Sequence, residues 1–382
     1  MRLPTDQDLI RWQQQLEQFL AHFADTDLRR ATTRISDPAA HEAAAMYVTR
    51  PSKRLLGMAF LHTAHALHHQ DDIHDDDLTA IAAALEIRHG AILLHDDIVD
   101  GDTIRGGQPT AHHALIPSFG DEARSAALFA GDVLAGLAPL PILRTALPQP
   151  LRVRLAELFQ HTTALVAAGQ TEQLHLDTRQ DPGRVTEADI LRIHAGQFAP
   201  YLLCSLHLAG ALAELDDADL DRITEAGIPL CQGFQVQNDV AGFRELARVQ
   251  EQGEQTNSAL TLANTSDLAR RRRTALVRAA LDRLPSDQHA RMLAYLNGGD
   301  DDLTAIVDLI EQSKAADCCA GLILELQAQS RERITAETHL PVDVRTALHA
   351  TFRYMTALYD PTSHESRLYL EARPDLETLT SR

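Results

Sequence analysis

Apolar residues recur three and four positions apart along most of the chain. Between residues 5 and 24, Leu9, Trp12, Leu16, Phe19, Leu20 and Phe23 keep to one helical stripe, and Thr5 stands before it as an N-cap. The same spacing predicts helices over residues 39–49, 53–69, 77–99, 121–137, 151–177, 186–213, 217–244, 258–283, 286–296, 302–328, 342–359 and 364–371. Alternating β-branched runs are missing, so strands are not expected. Breaks fall at 70–76, 101–111, 139–150, 180–184, 250–257 and 298–302, with no fixed-period repeat and no long low-complexity segment. The pattern predicts an all-α chain, one large helix bundle over residues 1–382 with its ligand cavity among facing helices.

Composition narrows this picture. The 382 residues are 45% hydrophobic but only 4% aromatic, which suits Ala/Leu-rich helices. No window approaches eighteen uninterrupted apolar residues, so no membrane span is expected, and the first residues lack an apolar signal core, which points to the cytoplasm. The net charge of −19, from 35 basic and 54 acidic residues, argues against nucleic acid as a partner. The run Arg270–Arg273 reads as a solvated helix face. Cys204, Cys231, Cys318 and Cys319 have no metal-ligand spacing and read as reduced, mostly packed thiols. Lysine occurs only at Lys53 and Lys314, so arginine supplies almost all positive charge.

One segment breaks the logic of an apolar helix. In residues 91–100, Asp96, Asp97 and Asp100 interrupt a run that otherwise buries Ala91, Leu93, Leu94, Ile98 and Val99. Asp96 and Asp100 are i and i+4 and share a face, with Asp97 beside them. Like charges about 4 Å apart repel by roughly 4 kcal/mol at an effective dielectric near 20. A divalent cation reverses that sign, and hard oxygen ligands suit Mg²⁺, which completes its shell with water and substrate phosphate. Arg105 follows five residues on, placed as a bidentate phosphate donor would be. The cluster Asp71, Asp72, Asp75, Asp76 and Asp77, with His68, His69 and His74, holds more aspartates but reads as a solvated loop.

Further features line up in order: Lys53-Arg54 opening an early helix, His89 two turns before Asp96, Ala130-Gly-Asp-Val-Leu134, Gly169-Gln170, and Gly233 to Gly242 with Asn238 and Asp239 in mid-helix. Over residues 40–245 the chain resembles the trans-isoprenyl diphosphate synthases, the polyprenyl synthetase family. His95 to Asp100 with Arg105 matches that family's first aspartate-rich motif, and Phe234-Gln235 through Asp239 its second. The resemblance implies an all-α homodimer in which three Mg²⁺ ions assist ionisation of an allylic isoprenyl diphosphate, followed by attack from the double bond of isopentenyl diphosphate. It implies that Asp96 and Asp100 hold two ions, that Asn238 and Asp239 hold or orient the third, and that Arg105 grips the allylic diphosphate. Asp96, Asp97, Asp100 and Arg105 would form the catalytic set. Lys53, Arg54 and His89 would belong to the isopentenyl diphosphate pocket, and Gln170 and Gln235 would lie beside diphosphate. Departing leaving-group charge is what metals and arginines stabilise, and apolar walls keep water from the carbocation.

The departures from the family pattern are concentrated in one half of that machinery. Leu56 stands where a second pocket arginine is expected, and Gly106 where the second arginine after the first motif is expected. The family's Lys-Thr near residues 194–199 is absent, with only Arg192 or His194 as substitutes, and residues 252–258 carry no lysine. The second motif reads Asn-Asp-x-x-Gly. A missing second diphosphate site would suit a non-isopentenyl acceptor such as an indole-type aromatic. A class I terpene cyclase is another reading, although Leu246 stands where its next acid is expected and Glu245 is one residue out of register. A non-catalytic subunit that shapes a partner enzyme is a further one. Ala91 and Ile92, in the turn before the first motif, leave room for a C20 or longer chain, where bulky aromatics would close it. Residues 245–382 diverge from the family and show no motif of their own.

Overall fold

The computed structural model describes residues 3–67, 73–105, 107–179, 181–252, 267–360 and 362–372. Its principal helices are α1 (Asp6–Phe23), α2 (Ala39–Thr49), α3 (Leu55–Leu67), α4 (Asp75–Asp100), α5 (Ala123–Leu137), α6 (Gln149–Arg179), α7 (Glu187–Leu212), α8 (Asp217–Gln252), α9 (Ala275–Leu281), α10 (Ser286–Leu296), α11 (Leu303–Ser313), α12 (Ala315–Ala336), α13 (Val342–Tyr359) and α14 (His364–Ala372). The chain divides into two compact units. The first comprises Met1–His161, Leu203–Ile223 and Ile334–Arg382, and the second Thr162–Leu202 and Thr224–Arg333.

In the first unit α4 is the central rod. Every side chain from Asp77 to Arg88 is buried, as expected of a helix enclosed on all sides. It packs against α1, α2, α3 and α5, and α13 packs on α3. Glycine permits the closest approach. At Gly90 a Cβ would sit 3.0 Å from the Tyr47 carbonyl oxygen, so α2 crosses α4 backbone to backbone there. At the start of the chain Thr5 does cap α1, in a reciprocal box with Asp8. The core of the second unit is built from Leu176, Ile190, Val236, Val240, Phe243, Leu276, Ile306 and Ile310, among others.

Several expectations need correction. A short antiparallel hairpin, β1 (Ile104–Arg105) with β2 (Gln108–Pro109), lies in the break after α4. Two residues a strand are too few for any alternation to show. The helix expected over 302–328 is two helices, because Lys314 adopts φ 55 and ends α11. The Ser313 hydroxyl stabilises the break, donating to the Ile310 carbonyl and accepting the Ala315 amide. Of the helix expected over 258–283, residues 258–266 lie outside the described residues, 267–271 form turns, and only α9 is helical. The arginine run is therefore not a solvated helix face. Arg271 pairs with Asp301, Arg272 with Asp267 and Arg273 with Asp177, all partly buried.

Asp75–Asp77 are likewise not in a loop. They form the first turn of α4, where negative charge suits the helix dipole, and Asp77 is buried and accepts the Ala146 amide at 2.8 Å. His68, His69, Asp71 and Asp72 lie outside the described residues. Two segments, Asp75–Asp100 and Ile116–Leu143, are long and apolar enough by length and composition to cross a membrane, which uninterrupted apolar runs did not reveal. The first is mostly buried as the core rod, whereas the second exposes Leu128 and Phe129. Cys204, Cys231 and Cys319 are buried free thiols, and Cys318 is exposed.

Candidate active site

The C-terminal end of α4 sorts its three aspartates by burial. Asp97 is fully buried, while Asp96 and Asp100 are half-buried. The sorting follows from how the helix stops. Gly101 takes φ 65 and closes a Schellman turn, with its amide on Ile98 O at 3.3 Å and the Asp102 amide on Asp97 O at 3.0 Å. The chain then enters the hairpin, where Gly107 has φ 75 and Thr110 donates to Asp102 O at 2.6 Å. The reversal carries Arg105 back over Asp97, whose Oδ1 accepts Arg105 Nε and Nη2, each at 2.5 Å. Arg105 Nη2 also lies 3.7 Å from Asp96 Oδ2 and 3.5 Å from Asp102 Oδ2.

Tyr47 closes this arrangement from α2. Its hydroxyl donates to Asp97 Oδ2 and accepts the Ala111 amide at 3.1 Å. Burial, and then the neighbouring Asp97 carboxylate, hold the Tyr47 phenol well above its ordinary range. Burial also pushes the Asp97 carboxyl up, against the pull of Arg105. Burial works against the Arg105 charge too, but Asp97 and Asp96 outweigh it and raise the guanidinium. Asp97 thus positions Arg105, and Asp96 and Asp100 remain the accessible carboxylates of the segment. His95, next to them, sits against α5, with Nε2 at 3.2 Å from Leu128 O and 3.5 Å from Asp132. A Cβ at Gly131 would collide with its ring.

The residues expected around the second diphosphate separate. Lys53 Nζ donates to Leu358 O at 2.5 Å, at the C-terminal end of α13, where a cation offsets the helix dipole. Arg54 is buried, forms a two-pronged contact with Glu17 at 2.9 Å and lies 3.8 Å from Glu86. Leu56 is buried. His89 is half-buried, and burial followed by the charges of Arg54, Arg105, Arg88 and Arg50 pushes its imidazole down to about 3. Tyr47 and Arg50 carried no sequence signal beyond residue type.

In the second unit Gln170 is half-buried beside Gly169, where the absent Cβ lets α6 lie against the Gly196 backbone of α7. Asn238 is exposed and its amide donates to Gln235 Oε1 at 3.3 Å. Asp239 is buried and its Oδ2 accepts the Ala275 amide at 3.1 Å, at the start of α9. Burial, then nearby Asp267, push its carboxyl well up. His194 lies 3.9 Å away and is driven down to about 4 by burial. Arg192 is exposed and pairs with Glu172 at 3.3 Å. Neither residue stands in for the missing lysine as an uncommitted cation.

The donor chemistry of Asp96 and Asp100 fits magnesium, which is bound by one or two carboxylates with water and substrate phosphate. Among the described residues no three carboxylate, imidazole or thiol groups form a set able to hold an ion by themselves. One oxygen of the buried Asp239 is taken by a backbone amide, whereas Asn238 is exposed beside the half-buried Gln235.

Residues 37–313 match the polyprenyl synthetase family model. A geranylgeranyl diphosphate synthase of Mycobacterium tuberculosis is 31% identical over 206 residues, 54% of this chain and 53% of that protein. A short chain isoprenyl diphosphate synthase of Methanothermobacter thermautotrophicus is 23% identical over 315 residues, 82% and 89% of the two chains. The chain spans about half the length of curated geranylgeranyl diphosphate synthases that it matches. In fold it is similar to a geranylgeranyl pyrophosphate synthase from Corynebacterium glutamicum, solved with isoprenyl diphosphate and magnesium. That likeness has a TM-score of 0.73 at 20% identity and covers 91% and 99% of the two chains.

Proposed function

The chain belongs to the polyprenyl synthetase family, and we propose that it is a magnesium-dependent prenyltransferase that extends an allylic isoprenyl diphosphate with isopentenyl diphosphate to a product of C20 or similar length. The observation that carries this reading is the edge of α4, where Asp96 and Asp100 stay accessible beside an arginine locked in place by Asp97 and Tyr47. Magnesium held by Asp96 and Asp100 would supply charge to neutralise the diphosphate. Arg105, kept protonated by Asp97 and Asp96, is oriented to stabilise charge that grows on the leaving diphosphate as the allylic carbon–oxygen bond breaks. The bonding pair leaves with diphosphate, the isopentenyl double bond attacks the allylic carbon, and loss of a proton restores the alkene. A third ion would draw on Asn238 with Gln235 rather than on Asp239. Ala91, one turn before the aspartates, is a small side chain where a bulky one would shorten the tail. The relatives named as geranylgeranyl diphosphate synthases support the same product class.

The position of Lys53 favours a second reading, transfer to an acceptor other than isopentenyl diphosphate, such as an indole-type aromatic. A homodimer in the cytoplasm completes the proposal, with exposed Leu128 and Phe129 as part of its contact face. One incubation series decides between the readings. The protein receives Mg²⁺ and geranyl, farnesyl or geranylgeranyl diphosphate, with and without isopentenyl diphosphate, then with an indole. Elongation that requires isopentenyl diphosphate supports the synthase. Diphosphate released only with the indole selects the second reading, and a hydrocarbon or alcohol from the allylic substrate alone selects a cyclase. In the elongation assay Ala91→Phe shortens the product; unchanged length removes the tail assignment.

A further inference from the structure

Four guanidiniums act on the His89 imidazole, and three of them are committed. Arg54 is paired with Glu17 and Glu86. Arg105 is paired with Asp97, Asp96 and Asp102. Arg88 is buried on the Phe159 ring, donating to Phe159 O and Cys204 Sγ. Arg50 differs. Its guanidinium lies over the Tyr47 ring at 4.5 Å and reaches Arg105 O only at 3.5 Å. Its Nη2 is buried without a hydrogen-bond partner, and the carboxylate influence on it, from Asp97, acts through space while that carboxylate is bonded to Arg105 and Tyr47. An unpaired charged donor in a half-buried place is costly unless a ligand completes it.

The chain puts Arg50 there by local rules. Pro51 disfavours the helical conformation at the preceding residue, so α2 ends and Arg50 takes φ −59 and ψ 146. The crossing at Gly90 sets the end of α2 beside His89. The imidazole of His89 is uncharged. We propose that Arg50, beside His89, forms the cationic seat for the diphosphate of the second substrate, in place of the cations that Leu56, Gly106 and the diverted Lys53 do not supply. This rests on the synthase reading for the identity of the ligand, while the anion seat itself rests on the geometry alone. Burial lowers the Arg50 guanidinium, with Arg105 adding to it and Tyr47 and Asp97 opposing it, so an incoming anion would relieve the burial and the repulsion from Arg105.

The test is calorimetric binding without magnesium, which limits the contribution of the aspartate edge. The ligands are isopentenyl diphosphate and inorganic diphosphate, and the variants are Arg50→Gln, Arg50→Lys and Lys53→Ala. Arg50→Gln keeps the aliphatic stem over Tyr47, and circular dichroism checks that each variant is folded. Arg50→Gln is expected to weaken isopentenyl diphosphate roughly ten- to hundredfold and to raise its KM alike, with the KM for the allylic diphosphate moving within about twofold. Arg50→Lys recovers part of the loss, and Lys53→Ala loses less than Arg50→Gln. If the unaltered protein binds inorganic diphosphate through Arg50 but does not elongate with isopentenyl diphosphate, the seat stands and the synthase reading fails. Equal binding by Arg50→Gln and the unaltered protein, no inorganic diphosphate binding at all, or a larger loss in Lys53→Ala overturns the proposal.

Discussion

The two motifs each bury one aspartate, to opposite effect on what remains exposed. At residues 96–100 one carboxylate is buried so that two others stay accessible. At residues 238–239 the carboxylate is the buried member, fastened to the first turn of a helix thirty-six residues on, and the amide beside it is exposed. The difference lies in what each buried aspartate is given. Asp97 receives an arginine and a phenol, which oppose the upward push of burial and hold the arginine along the motif. Asp239 receives a backbone amide and a deprotonated-leaning histidine, so burial drives it toward the neutral acid. A guanidinium bonded to the carboxylate opposes burial strongly at Asp97, whereas Arg272 opposes it only as a minor influence at Asp239.

The largest effect that can break this comparison is on turnover. Asp96→Ala and Asp100→Ala are expected to lower prenyl transfer by at least about 10³-fold with little change in Tm, because they remove ligands and not packing. Asp97→Asn is expected to lower both, destabilising by about 3–5 kcal/mol as the buried pair with Arg105 is broken. Steady-state rates with thermal melts of the three variants read this out. If Asp97→Asn keeps its Tm, or Asp96→Ala loses as much stability as it does, burial does not separate the roles.

A smaller effect concerns acid stability of the second region. His194 is held at about 4 when folded, below the ordinary imidazole value, by burial. As pH falls from about 6.5 the unfolded chain takes up a proton that the folded chain refuses. Stability is therefore complete above about 6.5 and declines toward pH 4, with a limiting loss of about 3 kcal/mol. His194→Gln is expected to flatten this slope. Melting temperatures at pH 7.5 and 5.0 measure it, and an unchanged difference between the two pH values in the variant assigns acid lability elsewhere.

What could be read in advance follows the range of the interactions. The helices 39–49, 286–296 and 342–359 fell where the apolar spacing put them, because burial of one face is a local pattern. The shared face of Asp96 and Asp100 was legible for the same reason. The break at Lys314 was not, since lysine disfavours the left-handed conformation it adopts there and no residue type announces it. Tyr47 lies fifty residues from Asp97 and Ala275 thirty-six from Asp239, and neither spacing has a period. Lys53 and Arg54 occupy the family's positions and Arg50 does not, yet Lys53 serves the end of α13 and Arg54 a buried carboxylate pair. A motif fixes which residues are present; the helix each one packs against decides which of them remain available.

The smallest effect gives the sharpest test of that rule, because it asks one carboxylate whether its charge is used. Asp239 is held above its ordinary range by burial and then by Asp267, so its folded form favours the proton. A raised carboxyl of this kind stabilises the fold at low pH and loses that contribution as pH rises through its folded value. Asparagine keeps the oxygen that accepts the Ala275 amide and carries no charge at any pH. Asp239→Asn is therefore expected to match or exceed the parent in Tm at pH 7.5. Asp239→Ala leaves that amide buried without its acceptor and costs about 1–3 kcal/mol. If the charge served a metal instead, Asp239→Asn would raise the magnesium concentration for half-maximal turnover at least as far as Asp100→Asn does. A smaller shift in Asp239→Asn than in Asp100→Asn, with the Tm order Asn at or above Asp and Ala lowest, keeps this aspartate on the structural side.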